Sequence, residues 1–102
     1  MFNKPSRFHL LQFGKNLVTR DQGEIAFNEF KLLKPGDNNI SIDLTSVEVI
    51  TPSFTDEFFG SIIDALGVAL FRKRISLVTD NPAWKHLINS VLSSRVARRK
   101  RS

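Results

Sequence analysis

The stretch N-I-S-I-D-L-T-S-V-E-V-I-T-P-S-F-T-D-E-F-F-G, residues 39–60, decides how this chain folds. Asn39 to Leu44 alternates apolar and polar residues, with Ile40, Ile42 and Leu44 on one side. That is the period of a strand with one buried face. Val47, Val49 and Ile50 extend the apolar signal, and Thr51-Pro52 is a short connection. From Ser53 to Leu66 the period becomes helical: Phe54, Phe58, Ile62 and Ala65 form one stripe, and Phe59, Ile63 and Leu66 a second beside it. An arc that wide suits a helix pressed against a sheet. Gly60 stands mid-helix, where glycine costs about 1 kcal/mol relative to alanine. A strand lying close to the helix backbone is the expected compensation.

On the N-terminal side, F-H-L-L-Q-F at 8–13 reads as a strand, and Leu17 to Thr19 as a short β-prone piece able to pair back as a hairpin. Asp21 to Leu33 reads as a helix. Asp21 is its expected cap, Glu24 follows three residues later, and Ala26, Phe30 and Leu33 form its buried face. Pro35-Gly36 ends it. On the C-terminal side, Arg74 to Thr79 reads as a third strand. Asn81 then caps a last helix with Pro82 at its first position. Trp84, Leu87, Ile88, Val91 and Leu92 give that helix the cleanest amphipathic pattern in the chain. Strands alternating with helices imply an α/β domain with parallel crossovers. The expected sheet is mixed or mostly parallel, with about four strands and about three helices. The strand at 39–44 should lie beside the one at 74–79. The expected core includes Ile42, Phe58, Ile62, Leu77, Leu87 and Val91.

The 102 residues suffice for one domain. There is no cysteine, so a disulfide framework and a thiolate metal site are both excluded. No apolar run reaches membrane-span length and the first residues lack a secretory signal, so a cytoplasmic location is expected. The net charge of +5 is unevenly placed. Residues 95–102, R-V-A-R-R-K-R-S, hold five basic side chains and no acid, while the preceding 94 residues carry ten of each sign. The reading is therefore a neutral domain over 1–94 and a basic tail over 95–102, whose exposed charges either prolong the last helix or fray into disorder. A neutral body disfavours a dedicated nucleic-acid fold.

Motifs for catalysis are missing. The two histidines, His9 and His86, have no partner at a metal-ligand spacing. There is no G-x-S-x-G elbow, phosphate-binding G-x-x-x-x-G-K-[ST] loop or dinucleotide G-x-G-x-x-G. A non-catalytic chain without cofactor or metal is the expectation. At residue 53 two readings meet. Ser53 with Asp56 three residues later has the pattern of a helix cap, with Asp56 and Glu57 complementing the helix dipole. A helix start at the end of a strand is also where α/β folds place ligands, and a phosphate on Ser53 would sit on the dipole. Arg72-Lys73-Arg74 is a basic cluster entering a strand. It reads as a solvated edge or, with Arg98, Arg99, Lys100 and Arg101, as a contact for an acidic partner or nucleic acid.

Three segments carry a resemblance: R-D-Q-G at 20–23, S-I-D-L-T-S-V-E-V-I-T-P-S-F-T-D-E-F-F-G at 41–60 and F-R-K-R-I-S-L-V at 71–78. They resemble a bacterial STAS-like family of unknown function, related to the fold of sulphate transporters and anti-sigma-factor antagonists, over residues 15–93. In the antagonists an acidic-Ser-Ser-Gly turn leads into a helix, and a partner kinase phosphorylates the second Ser. Thr51, Pro52, Ser53 and Phe54 take those four places, and only Ser53 matches. The resemblance implies a protein-interaction and regulatory module that binds a histidine-kinase-like ATPase and is switched at Ser53. Thr51, Pro52, Phe54, Asp56 and Glu57 would form the contact surface. The alternative is a nucleic-acid-associated accessory protein acting through the basic tail.

Overall fold

A computed structural model describes residues 6–100, with side chains given through Ala97 in the last helix. The elements are β1 (Ser6–His9), a 3-10 turn (Leu10–Phe13), β2 (Asn16–Leu17), α1 (Arg20–Phe30), a second 3-10 turn (Lys31–Leu33), β3 (Ile40–Asp43), β4 (Val49–Ile50), α2 (Pro52–Leu66), α3 (Val68–Arg74), β5 (Ile75–Val78) and α4 (Pro82–Lys100). One sheet has the order β1-β3-β5 and a second pairs β2 with β4; every pairing is parallel. β3 lies beside β5 with Ile42 opposite Leu77, as the strand spacing implied. No helix among the described residues is long and apolar enough to cross a membrane.

Alternation sorts the three-stranded sheet into two faces. Phe8, Ile40, Ile42 and Ile75 are buried on one. Arg7, Ser41 and Ser76, aligned across the three strands, lie on the other, where the two serine hydroxyls meet at 2.9 Å. The apolar face meets the helices through stacked phenylalanines. Phe58 of α2 is at the centre, with ring centroids 4.8–6.0 Å from those of Phe8, Phe30, Phe54 and Phe59. Ile42, Phe58 and Ile62 are buried as expected, whereas Leu77, Leu87 and Val91 are half-buried. Those three sit on the outer elements β5 and α4, which have neighbours on fewer sides.

Several boundaries differ from the sequence reading. The first strand stops at His9, and Leu10 to Phe13 coil into a 3-10 turn that still buries Leu10. The expected hairpin is absent, because Leu17 pairs forward with Ile50 in parallel. α1 is capped by Thr19, not Asp21. The Thr19 hydroxyl accepts from the Gln22 N–H at 3.1 Å while Gln22 Oε1 accepts from the Thr19 N–H at 3.0 Å, a reciprocal capping box. α3 fills a segment read as an approach to a strand. α4 continues through Lys100. Arg95 and Val96 therefore belong to a packed helix, not to a tail that carries charge alone.

Candidate functional site

β2 and β4 run side by side and each delivers a helix at the same end, so the starts of α1 and α2 converge. Thr51 holds them together. Its N–H donates to Leu17 O at 3.1 Å, and its hydroxyl donates to Val18 O at 2.7 Å while accepting from the Phe54 N–H at 3.3 Å. A turn further on, the helices touch at Gly23, where a Cβ would come within 2.8 Å of Glu57 Cβ. Only glycine allows that approach.

The sequence placed the cap of α2 at Ser53; the structure places it at Thr51. Thr51 has extended backbone and Pro52 takes the first helical position, where a missing N–H removes no helical bond. Ser53 is one residue further in. It is exposed, and its hydroxyl makes no hydrogen bond among the described residues. The shift also moves Asp56 and Glu57 out of the first turn, which contains no acid. They do not serve the dipole as expected but join an ion-pair network.

That network crosses three helices. Asp56 Oδ2 receives Arg20 Nη1 of α1 at 3.0 Å, and Asp56 Oδ1 receives Arg95 Nη1 of α4 at 3.1 Å. Arg95 Nη1 also donates to the Asp56 carbonyl at 3.0 Å, and its other terminal nitrogen pairs with Asp64 Oδ2. Glu57 is more distant, 3.8 Å from Arg20. Burial alone would raise the Asp56 carboxyl; the hydrogen bonds and charges of Arg20 and Arg95 outweigh it and hold the group below the usual carboxylate range. Hydrogen bonding to Asp64, opposed by burial and reinforced by Asp56, raises Arg95 above its ordinary value. The sequence offered Arg20 only within R-D-Q-G at 20–23, a stretch that a helix start explains as well as a site does, and it did not single out Arg95. Arg20 was read within a helix start and Arg95 within a tail. Glycine in mid-helix was the available signal, since the group that closes on Gly60 is Arg95 and not the expected strand.

Of the proposed contact residues, Pro52 and Ser53 are exposed beside each other, Thr51 is half-buried as the cap, and Asp56 and Glu57 are half-buried behind them. Phe54 is fully buried against Phe58 and cannot touch a partner. It points inward because the residue three places after the Thr51 cap falls on the core face of α2. Arg72 and Lys73 are exposed at the end of α3, a separate part of the molecule. Arg74 is half-buried, and its Nε is buried without a hydrogen-bond partner among the described residues. The side chains of Arg98, Arg99 and Lys100, and the whole of Arg101, lie outside the described residues.

A second polar cluster was missed entirely. Asp43, buried at the end of β3, accepts from the Thr45 N–H at 2.8 Å, pairs with Arg7 at 3.1 Å and lies 3.6 Å from His9 Nδ1. Hydrogen bonding from Thr45 leads, against burial, in holding Asp43 below the usual range, with His9 and Arg7 adding to it. His86 is exposed on α4. Among the described residues no group of three or more His, Cys, Asp or Glu could hold a metal.

A family model described as a STAS-like domain of unknown function, DUF4325, matches residues 23–83, more than half of the chain. No curated protein and no solved structure matches.

Proposed function

The chain belongs to this STAS-like family, and from that membership we propose that it is a non-catalytic protein-interaction module, regulated at the start of α2. The observation that carries the reading is the division of labour between two hydroxyls. Thr51 does all the capping, so Ser53 stands exposed with no structural task at a helix N-terminus. A phosphate there would gain from the helix dipole and from the Ser53 N–H, the first-turn donor left over after Pro52, which has none, and Phe54, which Thr51 caps. It would also face Asp56 and Glu57, which Arg20 partly neutralises. The proposed partner is a histidine-kinase-like ATPase that contacts Pro52 and Ser53 and phosphorylates the latter.

The test combines mass spectrometry of the native protein with binding to the ATPase. Ser53→Ala should keep binding and lose phosphate incorporation from Mg-ATP. Ser53→Asp should fold normally and bind at least about tenfold more weakly, since burying an uncompensated charge in a contact costs more than about 1.4 kcal/mol. Equal binding by the wild type and both variants, with Ser53 unmodified in the native protein, would remove the switch.

A further inference from the structure

Toward the C-terminal end of α2, the helices α2, α3 and α4 leave an open groove of about 540 Å³ between them. Its lining is mainly apolar, with Ile63 from α2, Val68 and Phe71 from α3, and Leu92, Val96 and Ala97 from α4; Asn89 and Ser93 of α4 and Arg72 of α3 add polar groups. The helices that flank it have a one-sided charge. α3 ends in Arg72, Lys73 and Arg74, and α4 contains Lys85, Arg95, Arg98, Arg99 and Lys100; neither contains a single Asp or Glu. On the third wall, the Asp64 carboxylate is already held by Arg95. The concavity is thus mainly apolar within and basic at its α3 rim, where Arg72 and Lys73 are exposed.

We infer that this groove docks an acidic amphipathic helix of a protein partner. A groove between two helices fits the apolar ridge of a third, whose residues at i, i+3, i+4 and i+7 would fill it. Acidic residues flanking that ridge would meet Arg72 and Lys73 at the end of α3. Nucleic acid satisfies the rim but not the floor, because phosphates gain nothing from Val68, Leu92 and Val96. A membrane surface is flat and would leave the concavity unfilled. The surface is distinct from the α2 start, so a partner engaged here would leave Ser53 accessible.

The full chain should be titrated with a synthetic helix of about 18 residues carrying Leu on one face and Glu beside it. Methyl NMR should show shifts confined to Ile63, Val68, Leu92 and Val96. Arg72→Glu with Lys73→Glu, both at exposed positions, should weaken binding at least about tenfold. A peptide with Lys in place of Glu should not bind. Raising salt should weaken the wild-type complex moderately without abolishing it, an arm independent of any variant. No binding, equal binding of the Lys peptide, or shifts at other methyls would overturn the inference. So would stronger perturbation of the same methyls by single-stranded DNA, or by vesicles containing anionic lipid, than by the Glu peptide.

Discussion

Arg95 lies across Gly60. A Cβ on that glycine would stand 2.6 Å from Arg95 Nη1 and 2.7 Å from its Cδ, closer than any real Cβ contact. The guanidinium is long and would ordinarily swing aside, but Asp56 and Asp64 hold it from both directions. The glycine therefore makes room for an ion pair that ties α4 to α2. Gly60→Ala sets two effects against each other: about 1 kcal/mol of helix propensity gained, and the displacement of a partly buried, multiply bonded arginine, worth about 2 kcal/mol. The expected result is a net loss of about 1 kcal/mol in urea unfolding. In an Arg95→Ala background the same substitution should become stabilising by about 1 kcal/mol. A Gly60→Ala effect of one sign in both backgrounds would show that Arg95 is not what the glycine accommodates.

The end of α4 can be divided by two truncations. Ending the chain at Ala97 removes R-R-K-R-S, which brings charge and no apolar side chain, and should leave stability within about 0.5 kcal/mol of the full chain. Ending it at Ser94 also removes Arg95, which leaves Asp56 with one arginine, and Val96, which packs on the core. That truncation should cost about 2–3 kcal/mol. Thermal melts of the two proteins decide the matter; similar melts would return residues 95–97 to the role of a bare charged tail.

Where the sequence was legible, it was because a period had only one burial solution. Ile40, Ile42 and Leu44 had to face one way, and Phe58 and Ile62 had to meet them, so β3, α2 and the parallel neighbour β5 followed. The resemblance across residues 41–60 pointed to the family that the 23–83 match establishes. What escaped depended on partners distant in sequence. Thr51 outcompetes Ser53 as the cap because Leu17 and Val18, more than thirty residues away, anchor its N–H and hydroxyl. Asp56 lies 36 residues from Arg20 and 39 from Arg95. Neither separation leaves a local pattern. α3 escaped because seven residues between Gly67 and β5 are too few for a period to declare itself.

Acid should expose the network. Asp56 and Asp43 both titrate below their ordinary value of 3.8 when folded. Folding thus favours their ionised forms, so their contribution is complete above the ordinary carboxylate range and is lost as pH falls through the lowered folded values. Tm should be level from neutral pH to about 5 and decline below about 4. Asp56→Asn should lower Tm at neutral pH and flatten the acid decline, because the protonation that drives part of it has been removed. An acid slope identical to that of the wild type would mean that Asp56 does not couple to folding.

Phe58 is the aromatic hub, fully buried and in ring contact with Phe8, Phe54, Phe30 and Phe59. Four rings from β1, α1 and α2 cannot all collapse into the space it would vacate. Phe58→Ala should therefore cost about 3–5 kcal/mol, a large part of the stability of a domain this size. Phe58→Leu, which keeps most of the volume, should cost about half as much. A near-neutral urea midpoint for the alanine variant would contradict the packing.

The two hydroxyls at the start of α2 offer the sharpest contrast, because they lie two residues apart and the structure gives them different work. Thr51 caps the Phe54 N–H and also donates to Val18 O, so it serves the helix and the junction between the β2 and β4 ends. Thr51→Ala removes both bonds and should cost about 1–2 kcal/mol. Thr51→Ser retains the oxygen and should cost much less, and Thr51→Asp should cap α2 yet lose the bond to Val18 O, because a carboxylate cannot donate. Ser53→Ala removes a hydroxyl that bonds to nothing among the described residues and should change stability by less than about 0.5 kcal/mol. Urea unfolding of the four variants tests the assignment. If Ser53→Ala costs as much as Thr51→Ala, the serine is structurally employed, and its availability for modification, on which the regulatory reading rests, disappears with it.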